Sequence, residues 1–148
     1  MHARLITSAA LLVAGLVLPA TAADDPYSCV PGLNPTYLFV MMGRIGKITG
    51  LPVAMTTPRI DCVSEQTIAA LAERATNDSR GHLAGYDPYS HTIYLNDAYD
   101  FLLDKPHVLA HEMTHHQQWQ SGVSVEMTSR EREAQARVVE KAGWAERK

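Results

Sequence analysis

Cysteine is scarce in this chain. Cys29 and Cys62 are the only two among 148 residues, and neither sits in a C-x-x-C pair or beside a histidine. That excludes a cysteine-built metal site and a thioredoxin-like redox motif. Positive charge is also in short supply, with 13 Lys and Arg against 16 Asp and Glu and a net charge of −3. No basic stripe, nucleic-acid motif or glycine-rich phosphate loop is found, so no nucleic acid or other polyanionic partner is implied. Internal repeats and low-complexity linkers are absent, and beyond the first residues no apolar run reaches the ~20 needed to cross a bilayer.

What is present begins with a leader. Residues 1–22 read as a basic start, an apolar run from Leu5 to Leu18 and the small residues Ala20-Thr21-Ala22 before Asp24 and Asp25. This is the pattern of a secretory signal peptide, with cleavage after Ala22 or Ala23 and export to the periplasm or beyond. The run is too short for a retained anchor, so no membrane contact is expected after cleavage. An even cysteine count in an exported chain predicts a Cys29–Cys62 disulfide. Residues 23–148, roughly 125 in number, make one domain near the lower end for a core that supports a catalytic site.

The most informative segment is His111-Glu112-Met113-Thr114-His115, an H-E-x-x-H pattern. On a helix, residues four apart share a face, so both imidazoles can meet one ion while Glu112 flanks them. Zinc takes two such nitrogens and a third protein ligand, keeps a position for water and lowers that water's pKa to about 7. Asp104 as N-cap, Pro106 in the first turn and Gly122 beyond the last turn predict a helix around the motif. A third histidine in the pattern H-E-x-x-H-x-x-G-x-x-H is missing, because Gln118 and Ser121 occupy its Gly and His positions. The third ligand is therefore expected to be a carboxylate from a following helix.

Thr128 to Trp144 predicts that helix, with strong helix formers, no proline and Gly143 near its end. Projected at 3.6 residues per turn, Glu131, Ala134, Gln135, Val138 and Ala142 share one face, and Glu133, Arg137 and Glu140 a polar one. Glu131 is thus the preferred third ligand. Thr128-x-x-Glu131 also fits a capping box, which would occupy Glu131 and leave Glu133 to bind metal.

H-E-x-x-H followed by E-x-x-A on a second helix, here Glu131 and Ala134, resembles the small gluzincin metallopeptidases over about residues 81 to 144. The resemblance implies a minimal zincin-like α+β fold, a small curved sheet with the H-E-x-x-H helix and a C-terminal helix that carries the third ligand. It further implies one Zn2+ per chain held by His111, His115 and Glu131, Glu112 as general base, and a peptide or protein substrate. Gln135 departs from the Asp or Asn of several relatives. By the same resemblance, His91 to Leu95 is the edge strand along which a substrate backbone would pair, and Tyr86, Tyr89, Tyr94, His91 or His116 the donor to a developing oxyanion. An exported metal-binding module without turnover is the competing expectation.

The remaining pattern predicts a helix from Asn34-Pro35 to Ile48, short strands at Val53–Met55 and Arg59–Val63, and a helix capped by Ser64 and running to Ala75.

Overall fold

A computed structural model describes residues 25–75 and 83–144, and the signal-peptide expectation for residues 1–22 lies outside them. Among the described residues the fold is α+β, with four α-helices around a three-stranded mixed sheet. Helix α1 (Pro35–Thr49) starts where Asn34 accepts a hydrogen bond from the Tyr37 amide and stops at Gly50, whose φ of 78° needs a residue without Cβ. Leu38, Met41, Met42 and Ile45 recur at helical spacing and are buried. Strand β1 (Arg59–Val63), helix α2 (Glu65–Ala75), the hairpin of β2 (Ala84–Asp87) and β3 (Thr92–Asn96), and helices α3 (Pro106–Gln120) and α4 (Ser129–Glu140) follow in order.

The sheet order is β1-β3-β2, with β1 parallel and β2 antiparallel to β3. This corrects the expected substrate edge. Both sides of β3 are paired, so it has no ladder left to offer an added strand, and the antiparallel edge is β2. The positive φ of His91, 53°, turns the chain into β3, which starts at Thr92. Val53–Met55 forms no strand, because the chain there crosses the end of α1, where Pro52 accepts a hydrogen bond from Gln117.

The predicted disulfide joins Cys29 to Cys62, with their Cα atoms 5.9 Å apart. It ties the N-terminal turns, which bury Tyr27, Val30 and Leu33, to β1. Ile60, Ile93, Leu95, Phe101, Leu109 and Met113 complete one core between the sheet, α1 and α3.

Candidate metal centre

Helix α3 runs through the middle of the molecule, against α4, β2 and α1. From Pro106 to Gln118 every residue is buried except His107 and His115, which are half-buried. Its N-terminus differs from expectation: Lys105 is the N-cap and no side chain caps it, while Asp100 holds the Leu102 and Leu103 amides in the turn before. Asp104 belongs to that turn, its amide bonded to Asp100 O. A helix so enclosed must satisfy its polar side chains internally. Thr114 donates to Ala110 O, Gln117 to Pro52 O, and His116 Nε2 to Thr56 O.

His111 and His115 face α4, and their Nε2 atoms lie 3.2 Å apart. The carboxylate that meets them is Glu133, with Oε1 3.0 Å from His115 Nε2 and Oε2 3.4 Å from His111 Nε2. Glu131 is elsewhere. It bonds the amide and hydroxyl of Thr128 at 2.7 Å each, and the Thr128 hydroxyl accepts from its amide, a complete capping box on an exposed turn. The structure therefore brings Glu133, and not the expected Glu131, to the two histidines. Capping satisfies Glu131 where it stands, and the face of α4 that carries Glu133, Ala136, Val139 and Glu140 is the one turned inward.

These three side chains suit a metal ion. Tetrahedral zinc with bonds of about 2.0–2.1 Å sets its ligand atoms roughly 3.3 Å apart. The two imidazole nitrogens lie 3.2 Å apart, close to that value, and one ligand atom from each of the three residues lies within 4.8 Å of the others. Two imidazole nitrogens that close repel through their lone pairs unless a proton or cation lies between them. Glu133 Oε2 is fully buried and, beyond the 3.4 Å approach of His111 Nε2, has no hydrogen-bond partner among the described residues. A buried carboxylate oxygen left in that state is costly, and a cation removes the cost.

The electrostatics couple the three groups. Burial by itself would lower the His111 pKa, but the Glu133 contact and the charges of Glu112, Glu133 and Glu140 outweigh it and raise it above the ordinary 6.5. Burial pushes Glu133 the other way, yet its contacts with His111 and His115 hold it far below the usual carboxylate range. On the far side of the two rings, His111 Nδ1 lies 3.2 Å from Glu140 Oε2 and His115 Nδ1 2.9 Å from Gln118 Oε1. Gln118 Nε2 in turn donates to Arg132 O and to Gln135 Oε1. Outer partners of this kind fix ring orientation and ligand basicity.

Glu140 and Gln118 were not singled out from the sequence, although Glu140 follows Glu133 by seven residues and so falls on the same helical stripe. Glu112 is buried beside the pair, its charge felt by His111. Of the donors considered for an oxyanion, three come together. Tyr86 Oη is 3.3 Å from His116 Nδ1 and 3.1 Å from His91 Nδ1, which also accepts from Gln120 Nε2. Burial, with the charge of Asp87, raises the Tyr86 pKa, so the phenol stays protonated. His116 is kept neutral by burial. Tyr89 is exposed at the hairpin turn and Tyr94 is half-buried on β3.

The profile of a domain of unknown function (DUF6647) matches residues 36–147. No curated protein and no solved structure matches the chain.

Proposed function

We propose, for a chain that belongs to the DUF6647 family, an activity read from its own side chains: hydrolysis of peptide bonds by an exported protein that holds one Zn2+ on His111, His115 and Glu133. The observation that carries this reading is the convergence of two imidazole nitrogens and a carboxylate at metal-ligand separations, with Glu133 Oε2 buried and otherwise unpaired. Bound there, the ion supplies a Lewis acid and a water that ionises near neutral pH.

The protein's own part is positioning and proton transfer. Glu140 and Gln118 hold the two imidazoles so that both Nε2 atoms face one point. Glu112, next to a ligand and buried, would take the proton of the attacking water and return it to the leaving amine. Tyr86 remains a donor at neutral pH and sits on the edge strand β2, against His116 of α3. The leader at residues 1–22 and the disulfide support export. Among the described residues no helix is long and apolar enough to cross a membrane.

A metal-holding module without turnover has the same ligands but no use for Glu112. Elemental analysis and peptide cleavage by wild type beside Glu112→Gln separate the two. The peptidase reading expects about one zinc in each protein and a fall in cleavage of about 100-fold or more in the variant. Wild type that binds zinc and cleaves nothing in a broad peptide mixture would leave the module, and no zinc after reconstitution would end both.

A further inference from the structure

Trp119 stands one helical turn beyond His115, on the same side of α3 as His115 and Glu112. Side chains on a helix lean toward its N-terminus, so the indole is aimed back over the turn that carries His115. At 37 % exposure it is also the most open residue of α3, a helix otherwise enclosed. A large aromatic left open on a buried helix calls for an explanation, and here the ring is held in place. The Arg132 guanidinium lies 5.7 Å from the ring centroid. Arg132 is itself pinned, with Nη1 donating to Ser124 O and Met127 O and Nη2 to Ser129 Oγ.

The direction of those bonds decides what the platform takes. With three of its five N–H donors engaged by α4 and the turn before it, Arg132 is held in place as a support for the indole. What remains open is a rigid apolar surface one turn from the metal ligands. The indole N–H has no hydrogen-bond partner among the described residues.

We propose that Trp119 is a specificity-determining residue, which seats a large apolar or aromatic side chain of a peptide substrate beside the scissile bond. This rests on the peptidase reading for the nature of the substrate. Aromatic contact with a preorganised ring favours Phe, Tyr or Leu over Ala or a charged residue at the position that meets it.

The test uses the zinc-loaded chain with Glu112→Gln, which leaves peptides uncut, and Trp144→Phe, which makes Trp119 the only tryptophan because the chain has two. The probes are blocked heptapeptides that carry Phe, Leu, Ala, Glu or Lys at each position in turn. A shift in indole emission with Phe and Leu peptides, and binding about tenfold tighter than for the Ala peptides, is the expected result. Trp119→Ala should erase that preference with zinc content unchanged, and Trp119→Phe should keep part of it.

Equal binding across the series, or an emission unmoved by every peptide, would overturn the proposal even if Trp119→Ala fails to fold. Tighter binding of the Glu peptides would overturn it too, since Arg132 would then be the receptor. Failure of the peptidase reading shows separately, as wild type that binds the Phe peptides through Trp119 and cuts none of them.

Discussion

Glu131 and Glu133 stand two residues apart on one helix and do unrelated work. The first closes the N-terminus of α4 through Thr128, and the second reaches across to the histidines of α3. Their substitutions should therefore fail in different ways. Glu131→Ala is expected to keep its zinc and to lose a small amount of stability, through the broken capping box. Glu133→Ala is expected to lose zinc by about two orders of magnitude or more in affinity. Zinc titration followed by denaturant unfolding of both variants checks the pair, and loss of metal from Glu131→Ala alone would reverse the assignment. Position in sequence could not separate these carboxylates, because each begins an E-x-x-A tetrad: Glu131 with Ala134, and Glu133 with Ala136. What separates them is the partner each one finds.

At the scale of elements, α4 shows why apolar periodicity misled. A helix is ordinarily oriented by laying its apolar stripe on the core. Here Val138 is 58 % exposed, while Glu133 and Glu140 point inward, since the surface they meet on α3 is itself polar. Ala136 is fully buried one turn after Glu133, and its small side chain lets the helices close. Ala136→Leu should cost about 1–3 kcal/mol by overpacking and should weaken zinc, because α4 carries two of the interacting carboxylates away with it. Ala134→Leu, on the exposed side, should change stability by less than about 0.5 kcal/mol. Thermal melts of apo and zinc-loaded forms read both effects. The helices α1, α2 and α3 were legible from apolar spacing, with Pro35 and Pro106 marking the starts of α1 and α3 and Ser64 that of α2, although the Asp104 cap expected for α3 is not used. Sheet order was not, since a short run of β-branched residues looks alike in a central and an edge strand.

For the molecule as a whole, folding, metal and protons are linked. Without metal, His111 is raised from its ordinary 6.5 and Glu133 is lowered from 4.5. The histidine's share of stability is full below pH 6.5 and is lost as pH rises through its raised value. The carboxylate's share is present above pH 4.5 and is lost as pH falls through its depressed value. The apo protein thus gains most from this cluster between those limits, while zinc must displace the histidine protons and gains as pH rises. The stabilisation by zinc, read as the Tm difference with and without chelator, should grow from pH 5.5 to pH 8. At a free metal concentration of 100 times Kd it should reach about 2.7 kcal/mol. A difference that shrinks with rising pH would remove the histidines from the site. The Gln118 amide adds a sense of direction to this cluster. The Arg132 carbonyl can only accept, so the amide nitrogen must face it and the amide oxygen must face His115 Nδ1. That oxygen requires a proton on Nδ1, so when the ring is neutral Nε2 is the nitrogen with a lone pair to offer an ion. The tautomer of one imidazole is thereby dictated by the backbone of the neighbouring helix, and α4 specifies where His115 keeps its hydrogen before any ion arrives.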